Sequence, residues 1–160
     1  MKYLMLVPVF FLTLNQQAIS LPEENPPNHL FWETNIEKAK ALASENDLNI
    51  LMVFSGSDWC KPCMKLKKDI LLSNEFQKYA INKLVILDLD FPIRKKNQLS
   101  KAQTKNNEAL AAKYNASGAF PKIVLLKKDE TILGEPEFRG QSPIAFAKEL
   151  DEMMSKNPKS

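Results

Sequence analysis

Apolar side chains recur along this 160-residue chain at helical spacing in some stretches and in short unbroken runs in others. Residues 35–45 place Ile36, Ala39, Leu42 and Ala43 on one stripe of a 3.6-residue period, which predicts an amphipathic helix. Thr34 stands three residues before Glu37, the spacing of a capping box, and Asn46-Asp47 ends the helix. Residues 48–55, LNILMVFS, are continuously apolar, short and rich in Ile, Val and Phe, as in a strand buried on both faces. After a segment holding two cysteines, Met64, Leu66, Ile70 and Leu71 fit one helix face, and Ser73 marks a restart or kink. Residues 84–91, LVILDLDF, predict a second buried strand.

Residues 94–107 are polar and basic with no acid, and read as a solvated flexible loop whose charge also suits an acidic partner. A helix is expected over 108–114, a turn at 118–121, and a third strand over 122–128. Asp129-Glu130 turns the chain into a fourth strand at 131–133, and Gly140 breaks it. Ser142 as cap and Pro143 at the first helical position open a last helix, with Ile144, Phe146, Ala147, Leu150 and Met154 on its apolar side. The early strands alternate with helices, which implies parallel pairing through right-handed crossovers. The last two are joined by a tight turn, which implies an antiparallel hairpin. The fold class is therefore α/β: a mixed central sheet with helices on both faces.

The N-terminal stretch changes the expected compartment. Lys2 precedes an apolar run from Tyr3 to Leu14, and Ala18-Ile19-Ser20 supplies the small residues of a cleavage site, so residues 1–20 read as a secretory signal peptide. The run is short of the roughly 20 residues a spanning helix needs, so no stable membrane insertion is expected after cleavage, an uncleaved anchor being the competing reading. Residues 21–32 are Pro-rich and read as a linker or extension, 33–156 as the domain, and 157–160 as a tail. The expected location is periplasmic or secreted, an oxidising setting. Loss of Lys2 with the leader lowers the net charge from +3 to about +2, too small to argue for nucleic acid or an anionic membrane.

The only two cysteines stand in SGSDWCKPCMKL, as Cys60 and Cys63. Cys60 follows a buried strand and opens a helix, where unpaired amides and the positive helix end favour thiolate. Thiolate is the nucleophile of disulfide exchange, so Cys60 is placed to attack and Cys63, one turn deeper, to resolve. A zinc site wants more ligands than this pair and His29, which reads as a solvated linker residue. A static disulfide would close too small a loop to remove much chain entropy.

The WCKPC motif resembles the thioredoxin-family active site, and the element order over roughly residues 35–154 resembles the thioredoxin three-layer fold with an N-terminal extension. Phe120-Pro121, just before KIVLL, matches the family's cis-proline. By that resemblance Phe120 and Pro121 form part of a substrate groove beside Cys60 and Cys63, with Trp59 as its apolar wall and Lys61 and Pro62 between the thiols. Trp59 as ordinary core is the competing reading. Two departures stand out. Thioredoxins proper carry a buried Asp in the strand before the motif, whereas LMVFSGS has none, which leaves water, Asp58 or Lys61 for proton transfer at Cys63. Lys61 also replaces the usual Gly.

The resemblance implies a thiol–disulfide oxidoreductase that exchanges disulfides in client proteins, is recharged by an upstream thiol donor, and needs no cofactor because the cysteines carry the electrons; the leader pattern makes it an exported one. Pro62 leans toward a reductant. Two rivals are a binding module whose disulfide stays closed and a reductase dedicated to one maturation pathway, such as haem attachment.

Overall fold

The computed structural model describes residues 29–156. The signal-peptide and tail readings, and the linker up to residue 28, lie outside the described residues. Five strands form one sheet in the order β1-β3-β2-β4-β5. β2 (Asn49–Ser55) is central, and all seven of its residues are buried. It runs parallel to β3 (Leu84–Asp90) and antiparallel to β4 (Lys122–Leu126). The parallel partner and the hairpin of β4 with β5 (Ile132–Gly134) bear out the mixed sheet expected from the element order.

Strand alternation sends successive side chains to opposite faces. Ile50, Met52 and Phe54 of β2, with Val85, Leu87 and Leu89 of β3, meet α1 (Ile36–Glu45) and α4 (Lys101–Tyr114) through Ile36, Ala39, Ala43, Leu110 and Tyr114. Leu51, Val53, Leu84 and Ile86 face the other way. There they meet α2 (Lys61–Leu66) with its continuing π turn Lys67–Leu71, α3 (Asn74–Ala80) and α5 (Pro143–Lys156). Phe76 and Phe146, both fully buried with ring centroids 5.8 Å apart, join α3 to α5. Burial of a Phe side chain stabilises by about 1.5–3 kcal/mol, so this pair anchors that layer.

Several local readings shift. The linker reading of 21–32 gives way at its end to a strand, β1 (Phe31–Glu33), which pairs parallel with β3 at the sheet edge. Asn35, not Thr34, caps α1: its side chain accepts the amide of Lys38 at 3.1 Å. Ser73 caps α3 by accepting the Phe76 amide at 3.2 Å, as its position suggests. The flexible-loop reading of 94–107 is overturned, because Lys95–Asn97 is a 3-10 turn and α4 begins at Lys101. Ser100 caps α4 through the Gln103 amide at 3.2 Å. Met64 and Ile144 leave the apolar faces assigned to them and are 43% and 70% exposed. Each sits a turn-step off the buried stripe, which runs through Cys63 and Leu66 in α2 and through Phe146 and Leu150 in α5.

Candidate redox site

The register of the sheet gathers three loops at one rim. β2 and β3 end side by side at Ser55 and Asp90, and antiparallel β4 begins beside Phe54 at Lys122. The loop after β2 ends at Cys60 and leads into α2 with Cys63, the stretch after β3 is 91–100, and the loop before β4 carries Phe120 and Pro121.

Cys60 is the N-cap of α2, with extended φ and ψ of −87° and 94°. Its amide donates to the Gly56 carbonyl at 2.9 Å, which closes a turn and aims the next residues into a helix. Its Sγ accepts the Cys63 amide at 3.2 Å, the place a Ser or Asp oxygen takes at an ordinary cap. Pro62 costs α2 no hydrogen bond, since first-turn amides have no helical acceptor. Cys60 and Cys63 are joined as a disulfide, with Cα atoms 5.3 Å apart. Both cysteines are only 3% exposed, whereas Lys61 and Pro62 beside them are exposed.

Trp59 is 40% exposed and is fixed on three sides. Its indole Nε1 donates to the Phe91 carbonyl at 2.7 Å, its ring meets Phe120 edge-on at 5.2 Å, and it lies over Gly56, where a Cβ would overlap the indole. Phe91 meets Phe120 edge-on at 5.4 Å, so the three rings form one wall. The plain-core reading of Trp59 does not describe this half-exposed, hydrogen-bonded side chain. The Phe120–Pro121 peptide bond is cis. Asn115 holds the approach to it, donating to the Ala119 carbonyl at 2.8 Å and accepting the Ala119 amide at 3.0 Å.

The acids around the motif are each engaged by named partners. Asp58 accepts the amides of Ile93 and Arg94, each at 3.0 Å, and the Asn97 side-chain amide at 2.9 Å. Desolvation pushes its carboxyl up, but these donors and the Arg94 charge outweigh it and hold the pKa below the ordinary value. Asp58 is thus a clamp on the 93–97 segment, with both oxygens engaged. Asp90, at the end of β3, accepts the Ser57 amide at 2.8 Å and hydroxyl at 2.6 Å. Asp88 stands in register with Val53 of β2, pairs with Lys67 at 2.7 Å and lies 3.4 Å from the Ser55 hydroxyl. β2 itself carries no acid, and the strand acids beside it come from β3. Their signal was the pair of acids inside the apolar run LVILDLDF.

A groove of about 630 Å³ opens beside the aromatic wall. Trp59, Phe91, Phe120 and Ile93 line one side, and the first turns of α4, with Lys101 and Lys105, line the other.

The comparisons with known proteins agree with this geometry. Residues 31–128 match a family described as thioredoxin-like. The chain belongs to the thioredoxin-like family, and Cys60 and Cys63 are its Cys-x-x-Cys pair, that of a thiol–disulfide oxidoreductase. It is 31% identical over 122 residues to the disulfide bond reductase DsbH of Chlamydia pneumoniae, a match spanning 76% of this chain and 71% of that one. It is 28% identical over 130 residues to the thioredoxin-related protein DsbJ of the same organism, covering 81% of this chain but only 36% of DsbJ. Among solved structures, a DsbH oxidoreductase superposes with a TM-score of 0.72 at 26% identity, over 87% of this chain and 94% of that one. The thioredoxin-like three-layer fold expected from the sequence is thus the fold observed.

Proposed function

We propose that this chain is an exported reductase of disulfides in client proteins. The observation that carries the reading is the position of Cys60. Its sulfur caps α2 and already accepts a helix amide. In the reduced protein that sulfur is the anion of the site, because the amide and the positive helix end stabilise thiolate over thiol. The thiolate attacks one sulfur of a client disulfide, the client S–S bond breaks, and the departing client sulfur takes up a proton. Cys63 then loses its proton and attacks Cys60, which releases the second client sulfur and closes the Cys60–Cys63 disulfide. Two electrons pass from the pair to the client, and an upstream dithiol donor must restore them.

Trp59, Phe120 and Pro121 form the surface on which the client strand lies, and Lys61 and Pro62 border the attacking Cys60 sulfur. The DsbH relative is itself named a disulfide bond reductase, which supports the reducing direction. The leader-like residues 1–20 support a periplasmic or secreted location. Among the described residues no helix is long and apolar enough to cross a membrane.

The test is reduction of insulin by the dithiol-charged protein. Cys60→Ser abolishes turnover, and Cys63→Ser accumulates mixed disulfides with clients. Unchanged turnover in Cys60→Ser ends the proposal. A pair that stays closed under mild reductant, in thiol titration, would replace it with a binding module.

A further inference from the structure

The groove beside Trp59 is bounded by a segment of one charge sign. Between Phe91 and Asn107 there are five cations, Arg94, Lys95, Lys96, Lys101 and Lys105, and no acid. All five are exposed, and among the described residues none has a carboxylate within salt-bridge distance. The segment is not a free tether. Asp58 grips Ile93, Arg94 and Asn97, and Trp59 grips Phe91. Asn107 donates to the Asp90 carbonyl at 2.8 Å, and Gln103 donates to the Thr34 carbonyl at 2.8 Å. The cations are thereby fastened to the redox motif through the residues on either side of them.

The acids that do reach the groove are Asp90, engaged by Ser57, and Glu108. With Asp58 under Arg94, three carboxylates stand against five cations, so the segment keeps an excess of two positive charges; Lys101 and Lys105 line the groove itself, and Arg94, Lys95 and Lys96 lie beyond its edge. The floor is apolar, built from Trp59, Phe91, Pro92, Ile93, Leu99 and Phe120, and Ile93 is 68% exposed.

On these grounds, and resting on the redox reading above, we infer that the groove selects client disulfides carried on extended segments rich in Asp and Glu with an apolar residue between them. The apolar residue lies against the Trp59–Phe120 wall while the acids meet Lys101, Lys105 and the 94–96 cations. A held rim with net positive charge gives selectivity mainly through encounter rate and register, so the preference must be salt-sensitive.

The test uses two model peptides of equal length, one acidic and one basic, each with the same apolar residue. Binding of the forms with cysteine replaced by serine is measured by calorimetry. Reduction of the disulfide forms is then followed beside hydroxyethyl disulfide, a neutral substrate. At about 20 mM salt the acidic peptide is expected to bind and to be reduced about tenfold better than the basic one, and the gap closes to about twofold at 0.5 M. K101E/K105E removes or inverts the preference. Lys148→Glu/Lys156→Glu on α5 changes net charge equally and leaves the preference intact. Equal binding of the two peptides, or an unchanged preference in K101E/K105E with native circular dichroism, overturns the inference. If the acidic peptide binds selectively but neither it nor hydroxyethyl disulfide is reduced, the groove's charge selectivity stands and the reductase reading fails instead.

Discussion

Glu130 offers the sharpest energetic test of how the site is held. It sits in the β4–β5 turn with φ of 68° and receives three side chains. Lys113 donates at 2.6 Å, Tyr114 at 2.7 Å and Lys40 at 2.8 Å. The turn is thereby tied to α4 and α1, and α4 is one wall of the groove. The Lys113 bond first, then those of Lys40 and Tyr114, hold the carboxyl down to about 2 from an ordinary 4.5. At 1.36 kcal/mol per pH unit the full difference would be about 3 kcal/mol. The Glu130 side chain keeps 23% of its surface in water and Lys113 keeps 59%, so screening reduces this to about 1–2 kcal/mol. Glu130→Gln removes the charge with little change of shape. At pH 7 the urea midpoint should fall by about 0.5–1 M, taking a slope of roughly 1–3 kcal/mol/M. The folded-state pKa lies below the unfolded one, so the contribution is complete above about pH 5 and is lost as pH falls toward 2. The gap between wild type and variant must therefore shrink to less than half by pH 3. A gap that stays constant from pH 7 to pH 3, or no gap at pH 7, refutes the charge-based account of this junction.

Two further perturbations probe the rim itself. Gly56→Ala places a Cβ inside the Trp59 indole, so the ring must swing out. Trp59 fluorescence should shift to longer wavelength and client turnover should fall severalfold, while an unmoved spectrum would show that the ring is not seated on Gly56. Asp58→Ala removes three hydrogen bonds from the segment after β3, so the amides of Ile93 and Arg94 should exchange with solvent faster while those of β2 do not. Unchanged exchange would mean that Asp58 is not what orders the segment.

What was readable in the sequence follows from where the physical signal is local. β2, β3 and β4 are legible because a strand buried on both faces must be an apolar run. α5 is legible because Ser142 and Pro143 mark its start and Phe146, Ala147 and Leu150 repeat at helical spacing. β1 is illegible because three residues, FWE, are too few to show a period, and only pairing with β3 makes them a strand. The first half of α4 is illegible for a different reason. Its polar residues from Lys101 to Asn106 have no apolar stripe, and its buried anchor there is Asn107, a polar side chain held by the Asp90 carbonyl and by Gln103. The cysteine pair could be read because its spacing, the strand before it and the helix after it are all local in sequence. The clamp role of Asp58 could not, because its partners lie 35 to 39 residues away in sequence.

The direction of β4 has a consequence for how this site can diversify. Because β4 enters the rim where β2 and β3 leave it, the redox motif follows one strand, the cations follow another and the cis-proline precedes a third, with one ring of the aromatic wall from each loop. The exposed cations at 94–96 and on the first turns of α4 can change sign without shifting the register of any strand. Selectivity in this architecture is thus a replaceable fitting, while the electron-carrying hinge of Cys60 and Cys63 stays bolted to the frame.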